Sequence, residues 1–454
     1  MNKETEIKLR ASRETLEALR DHPLLKKRNK SGWERRELFN QYFDTPERDL
    51  AQARVALRLR RDGEQFIQTL KTRGQSVAGL SERNEWDWYL DKAKLDPKKL
   101  TDDCWPASLA ELDKKQLKPI FTTDFARDRA EIAWGRGKAK VVIEAALDLG
   151  KVIAGKQQEE ICELELELRQ GEPEALLELA AELAADLPLM PCDISKAERG
   201  YRLHDANSYH LSLPAPELSA ELPLDDAFAA LAWHLLGSSQ RLAEQYRFNG
   251  HWKLLVDWVR QLIDLRALIG SLGQAVPRTS SHDLRETLDA LLKDWRPRLQ
   301  AGEQDEAVRH AAPQQFAEEL QGTRWGLFSL NASRWLLARA WAVERNDRGN
   351  RQGKAPLGNW LPRMLGEEAE ALKLERYKRQ PEDLAEQLPR IERLLVWLRL
   401  ARQVLDVAEL DRCYGELAKF AELAALPLDG EVLAARSEQA QTLISLRSWK
   451  ALTK

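Results

Sequence analysis

Along the N-terminal half of the chain, charged and aliphatic residues alternate with a period of two. In Glu4-Thr5-Glu6-Ile7-Lys8-Leu9-Arg10 the charged positions Glu4, Glu6, Lys8 and Arg10 fall on one side. Successive side chains of a β-strand point to opposite faces, so this segment reads as a strand carrying acids and bases on one face. Four further segments repeat the pattern: Arg58 and Arg60 against Leu57 and Leu59; Arg127, Arg129 and Glu131 together; Glu144 and Asp148 against Ile143 and Leu147; and Glu163, Glu165 and Glu167 against Cys162, Leu164, Leu166 and Leu168. Thr69 with Lys71, and Arg83 with Glu85 and Asp87, mark two more strands. Helices are predicted over Glu14 to Arg20, behind a Ser12 cap, and over Pro173 to Asp186 with proline in the first turn. If these helices cover the apolar faces, the charged faces turn inward, and a closed or nearly closed barrel with a hydrated, charged lumen results.

Such a lumen is costly unless its charges have partners. Arginines and lysines from several strands suit a chain of phosphates, Arg as a planar donor fork and Lys as a point charge. Clustered carboxylates either rise in pKa or hold a cation, and hard divalent ions prefer carboxylate oxygens, water and substrate phosphate. Acids and bases together point to a metal–polyphosphate complex.

These residues resemble the CYTH, or triphosphate tunnel metalloenzyme, family. The series runs from Glu-x-Glu-x-Lys through Tyr42-Phe43-Asp44-Thr45, Leu57-Arg58-Leu59-Arg60, Lys71, Arg83-Asn84-Glu85-Trp86, Arg127-Asp128-Arg129, Glu144 to Asp148 and Glu163-Leu164-Glu165 to Ser195-Lys196. It covers roughly the first 205 residues. The resemblance implies an antiparallel β-barrel tunnel, with Glu4, Glu6, Glu85, Asp148, Glu163 and Glu165 as metal-binding acids. Lys8, Arg58, Arg60, Lys71, Arg127, Arg129 and Lys196 would grip the triphosphate, and Glu4, Glu6, Lys8 and Glu85 would carry catalysis. The implied cofactor is Mg²⁺ or Mn²⁺. Three residues keep a structural alternative: Glu167 at the barrel mouth, Glu131 paired with Arg83, and Tyr42 to Thr45 as a turn.

Composition narrows the field. The 454 residues suit two or three domains, and Lys+Arg 70 against Asp+Glu 73 leaves a net charge of -3. That balance gives no bulk case for nucleic acid or an acidic membrane, so any phosphate site must be local. No N-terminal apolar run precedes the first strand, and no stretch reaches membrane-spanning length. Cys104, Cys162, Cys192 and Cys413 form no Cys-x-x-Cys pair, which suits a cytoplasmic setting, and Cys162 reads as a core residue.

Pro214, Pro216 and Pro223 lie between His210 and Asp226 and mark a linker, bounded at 206–226, between an N-terminal domain 1–205 and a helical domain 227–454. Beyond it, Leu254-Leu255, Trp258-Val259, Leu262-Ile263, Leu265 and Leu268-Ile269 recur at helical spacing. Phe328 with Trp335 to Leu337, and Ile391, Leu394, Leu395, Leu398 and Leu405, form two further runs. Ten of the 15 tryptophans fall here, as packing residues of an all-α bundle. The fold class is therefore α+β: an antiparallel barrel followed by a helical bundle. Position and helical character make this half similar to a CHAD domain, some members of which bind polyphosphate through helix-spaced arginines. Here His251 is followed by Leu254, Trp258 and Val259, and His234 with Arg241, or Arg399 with Arg402, reads better as a solvated basic face. The segment Arg345 to Lys354 reads as a loop, either a phosphate contact or flexible.

Gly150 to Lys156 has phosphate-loop spacing, but Gln157 replaces the required Ser or Thr and a strand follows, so a hairpin turn is expected. The seven histidines show no His-x-x-x-His pair, which argues against zinc. The leading expectation is a metal-dependent inorganic triphosphatase splitting tripolyphosphate into pyrophosphate and phosphate. Thiamine triphosphatase, class IV adenylate cyclase, and a non-catalytic polyphosphate-binding scaffold are the alternatives. The retained acids argue against the scaffold, because binding phosphate needs bases more than acids.

Overall fold

The alternating segments are strands, and they close on themselves. The strands are β1 (Asn2–Arg10), β2 (Glu34–Asp44), β3 (Ala56–Asp62), β4 (Gln65–Lys71), β5 (Gln75–Val77), β6 (Leu80–Leu90), β7 (Lys118–Trp134), β8 (Val141–Ala154), β9 (Gln157–Gln170) and β10 (Met190–Pro191). The sheet order is β10-β1-β9-β8-β7-β2-β3-β4-β6-β5, and an additional β1–β6 pairing shuts the barrel. Every pairing is antiparallel, as hairpin-connected strands allow. This computed structural model describes residues 2–29, 31–72, 74–77, 80–135, 141–206, 212–343, 345–405 and 408–453. Residues 207–211, at the start of the expected linker, lie outside the described residues.

Helices α1 (Arg13–Asp21), α2 (Pro23–Arg28), α3 (Asp49–Gln52), α4 (Glu174–Asp186) and α5 (Lys196–His204) accompany the barrel. Ser12 caps α1 by accepting from the Thr15 N–H, as expected. Helices do not cover the whole outer wall, however. Over β3, β4 and β6, Leu100, Cys104, Trp105 and Leu109 from an irregular segment with short 3₁₀ turns pack on Leu57, Leu59 and Leu70. Towards one end of the barrel the inward face turns apolar: Phe121, Phe125, Val152, Ala154 and Ile161 gather around Leu203 of α5. Helix α5 fills that end. Gly200 is required there, since a Cβ would lie 2.1 Å from the Phe121 ring. The Gly155-Lys156 turn joins β8 to β9 with Gly155 at φ +59°, so the phosphate-loop lookalike is a hairpin.

The chain divides into two compact units, one of Met1–Ser212, Gln240–Leu255 and Ala301–Arg334, the other of Leu213–Ser239, Val256–Gln300 and Trp335–Lys454. The helices beyond the barrel are α6 (Leu224–Asn249), α7 (Trp252–Ser271), α8 (His282–Gln304), α9 (Glu306–Leu320), α10 (Arg324–Leu337), α11 (Asp347–Gly353), α12 (Leu357–Ala371), α13 (Leu374–Tyr377), α14 (Leu388–Leu400), α15 (Leu410–Ala425), α16 (Gly430–Ser445) and α17 (Arg447–Leu452). In the second unit, fully buried Trp258 and Trp295 meet edge to face at 4.8 Å, and Trp360 meets Trp397 at 5.0 Å. These tryptophans are packing residues.

Four expectations for this half are corrected. Arg345 to Lys354 is not an open loop: α11 occupies most of it, and Arg345 is buried against Asp225, its Nη1 2.7 Å from Oδ1. Arg241 is buried, with Asp193 at 3.5 Å and Glu198 at 3.3 Å supplying the counter-charge that a buried guanidinium requires. Arg399 likewise pairs with Asp264 rather than standing on a solvated face. Leu405 falls beyond the end of α14, after a 3₁₀ turn at Arg402–Val404.

Candidate active site

The strand period carries the charged side chains inward, and the register sets acids beside bases. Lys8 lies opposite Glu165 and Arg10 opposite Glu163 across β1 and β9; Glu4 lies opposite Arg83 across β1 and β6; Arg127 lies opposite Asp148 across β7 and β8. The result is a cavity of about 320 Å³ inside the barrel. Glu4, Glu6, Lys8, Arg58, Arg60, Lys71, Glu85, Arg127, Arg129, Glu165 and Lys196 all line it. Asp148 and Glu163 sit just behind that lining, almost fully buried. Glu131, further along the same face of β7 than Arg129, is exposed.

On one wall Lys196, the first residue of α5, reaches three carboxylates. Its Nζ lies 2.7 Å from Asp148 Oδ2 and 2.9 Å from Glu165 Oε1, and it also bonds Glu163. Ser195 forms a capping box with Glu198, which fixes where α5 begins and hence where Lys196 points. Arg127 adds a fork onto Asp148, Nε to Oδ1 at 2.7 Å and Nη2 to Oδ2 at 2.6 Å, and touches Glu165. Burial alone would lower the Lys196 ammonium, but the three carboxylates outweigh it and raise it well above its ordinary value. Burial would raise Glu165; Lys196, Arg127 and Lys8 overcome that and hold it well below.

The ligand atoms of Asp148, Glu163 and Glu165 lie within 4.8 Å of one another. Three carboxylates with no nitrogen or sulfur donor form an oxygen set suited to a hard divalent cation. The opposite wall holds a second group. Lys71 Nζ is 2.5 Å from Glu4 Oε2 and 3.3 Å from Glu85 Oε2, with Arg58 Nη2 3.5 Å from Glu85 Oε1. Glu6 bonds Lys8 on its own strand.

Arg60 differs from the other cations. Its Nε donates to Asn40 Oδ1 at 2.7 Å, and among the described residues no carboxylate lies within ion-pair distance of it. Burial, then the Arg58 and Arg127 charges, lower its pKa to about 9. An anion entering the cavity relieves that repulsion. Arg129 lies nearer the solvent, paired with Glu34 at 2.7 Å. Glu167 lines the cavity beside Arg169, 2.6 Å away, and burial with the carboxylates of Glu4, Glu144 and Glu6 pushes it up to about 8.

The sequence did not single out Arg36, Asp62 or Arg169, which also line the cavity. Arg36 was hidden because the inward face of β2 runs Arg36, Leu38, Asn40, Tyr42, mixing polar and apolar residues. Asp87, noted only as a strand residue, and Arg83, given no role in the site, line it too. Tyr42 to Thr45 ends β2, and Asp44 there is wholly buried, accepting from the N–H groups of Thr45, Leu50 and Ala51.

The match to known protein families agrees with this geometry. Residues 2–201 match the CYTH domain family. An inorganic triphosphatase of Haemophilus influenzae is 34% identical over 166 residues, a match covering 37% of this chain and 46% of that protein. The chain therefore aligns with about half of that relative's length. Among solved structures, a proposed adenylyl cyclase from Hippeastrum with a dominant triphosphatase activity is 21% identical, covering 44% of this chain and 95% of that one at a TM-score of 0.31. A proposed adenylate cyclase from Bacillus halodurans is 25% identical, covering 40% and 92% at a TM-score of 0.27. The barrel and its charged interior thus fall within the part of the chain, residues 2–201, that matches the CYTH domain family.

Proposed function

We propose that this chain is a metal-dependent inorganic triphosphatase, hydrolysing tripolyphosphate to pyrophosphate and phosphate within residues 1–205. The observation that carries this reading is the facing of acids and bases across one cavity of about 320 Å³, a size at the small end of ligand sites. Lys8, Arg58, Arg60, Lys71, Arg127, Arg129 and Lys196 hold the phosphate oxygens and offset charge on the leaving pyrophosphate. Arg60, which has no carboxylate to release, is the readiest of them. Glu4, Glu6, Glu85, Asp148, Glu163 and Glu165 hold Mg²⁺ or Mn²⁺, which when bound polarises a phosphoryl oxygen. Glu4, Glu6, Lys8 and Glu85 carry the catalytic step, Lys8 holding the terminal phosphoryl group while the carboxylates orient the attacking water in line with the leaving pyrophosphate.

Phosphate release from tripolyphosphate, ATP and thiamine triphosphate, with and without Mg²⁺, tests the proposal. Metal-dependent release fastest from tripolyphosphate supports it; equal rates on all three would remove the inorganic assignment, and no release from any would leave the scaffold reading. We propose further that residues 227–454, after a linker at 206–226, are a CHAD-like domain able to contact polyphosphate. A cavity of about 510 Å³ in the second unit, lined by Arg266, Arg278, Arg285, Arg363 and Arg393 with Glu367 and Glu368, supports that contact. Among the described residues no helix is long and apolar enough to cross a membrane. Four buried, unpaired cysteines favour a cytoplasmic setting.

A further inference from the structure

Arg10 continues the inward face of β1 one step beyond Lys8, yet it does not line the cavity. Its side chain is buried in a network of acids. Nε lies 3.1 and 3.2 Å from the two carboxylate oxygens of Glu244, and Nη2 lies 2.5 Å from Glu244 Oε1 and 2.9 Å from Glu159 Oε1. Glu244 is on α6, 234 residues along the chain, and its side chain is 0% exposed. It also accepts from Arg247 Nε at 3.1 Å. Arg199 bridges inward, Nε to Glu159 at 2.8 Å and Nη1 to Glu163 Oε2 at 3.0 Å. The same Glu163 oxygen is 3.9 Å from Arg10 Nη1, while the other carboxylate oxygen bonds Lys196.

From this chain of contacts we infer that Glu244 is a positioning residue for the tunnel, acting through Arg10 on Glu163 and Lys196. The inference rests on the triphosphatase reading and deepens it. A buried guanidinium must have a counter-charge, because desolvation without one is far costlier than any competing contact. Glu244 supplies that charge with two oxygens. With Glu244 replaced by glutamine, Arg10 keeps only Glu159, which Arg199 already shares, and draws on Glu163, 3.9 Å away. Glu163 is then drawn off Lys196, whose ammonium loses one of its three anchors and moves from the place where a phosphate oxygen meets it. The contacts are almost solvent-free, so salt screens them little.

The experiment compares the full chain with E244Q and with the double variant R10Q/E244Q. Three quantities are measured: tripolyphosphate hydrolysis with Mg²⁺, tripolyphosphate binding by calorimetry, and thermal unfolding. E244Q is expected to unfold cooperatively and to bind tripolyphosphate ~10- to 100-fold more weakly, with kcat/KM lower by a similar factor, the size of effect that a misplacement of about 1 Å produces. R10Q/E244Q is expected to regain most of both, since no guanidinium short of counter-charge remains to pull Glu163. E392Q, which breaks a comparable pair with Arg296 in the second unit, should change neither. A merely structural role for Glu244 predicts that the double variant is no better than the single one. That result, or wild-type binding by E244Q, overturns the inference. Wild-type chain that binds tripolyphosphate without splitting it overturns the hydrolase reading instead and leaves the binding comparison standing.

Discussion

The phenol of Tyr201, on α5, donates a 2.7 Å hydrogen bond to Oδ2 of Asp44 at the end of β2. Asp44 thereby joins the helix that fills the barrel to the strand wall, while its two oxygens also take three backbone N–H groups. Burial, reinforced by the Asp44 charge, raises the Tyr201 phenol far above its usual range, so it remains a donor at every ordinary pH. Asp44→Ala leaves these donors unsatisfied and should cost ~3 kcal/mol or more of stability. Urea unfolding checks this, and a loss under about 1 kcal/mol would show that water replaces the carboxylate.

Arg60 and Arg127 line the same cavity but should respond oppositely when neutralised. Arg60→Gln removes a cation that lacks a carboxylate partner, so melting temperature should hold or rise. KM for tripolyphosphate should increase ~10-fold or more, the weight of one charge-assisted hydrogen bond. Arg127→Gln strips Asp148 and Glu165 of a shared partner and should destabilise the fold by about 3 kcal/mol. Matching melting temperatures for the two variants would contradict the difference in their pairing.

Glu6→Gln should abolish turnover and leave the unfolding transition in place, since Glu6 is close in size to glutamine and bonds only Lys8 among the described residues. Steady-state kinetics beside circular dichroism decides it. Unchanged kcat would take Glu6 out of the catalytic group.

Burial pushes Asp193 up to about 6 from 3.8, against the lowering effect of Arg241 and with help from Glu198. The folded state thus holds this proton more tightly than the unfolded chain. The stability Asp193 contributes is whole below about 3.8 and is lost as pH rises through about 6. Asp193→Asn lacks that loss, so its melting temperature relative to wild type should climb between those two values and then level off. A difference that stays constant with pH would assign the proton elsewhere.

The first unit includes Gln240–Leu255 and Ala301–Arg334, and Glu244 neutralises buried Arg10. A fragment ending at Ser212 should therefore melt lower than the full chain and hydrolyse tripolyphosphate poorly. A fragment with full-length stability and rate would show that those segments are dispensable.

The sequence pattern made the barrel legible because strand alternation is local: Glu4, Glu6 and Lys8, or Glu163, Glu165 and Glu167, declare their shared face within a few residues. The same locality explains what was missed. Asn40 and Leu38 share the inward face of β2 with Arg36, so no charge rhythm announced that strand. Arg10 looked like one more lumen residue, and only the folded chain brings Glu244 to it. The prolines at Pro214 to Pro223 mark a break in local character, whereas the compact units are set by which helices pack where. Arg345, read as part of a loop, is tied to Asp225 and to the Ala275 carbonyl, partners far from it in the chain.

Strand β1 pairs with β6 on one side and β9 on the other, and it carries Glu4, Glu6 and Lys8. It is therefore the stave that seals the cask. During synthesis closure must wait for residues 157–170 to emerge, and until then the β9 side of β1 is an unpaired edge open to a stray strand. If the tunnel hydrolyses tripolyphosphate as proposed, the onset of turnover in a refolding experiment would clock the moment of closure.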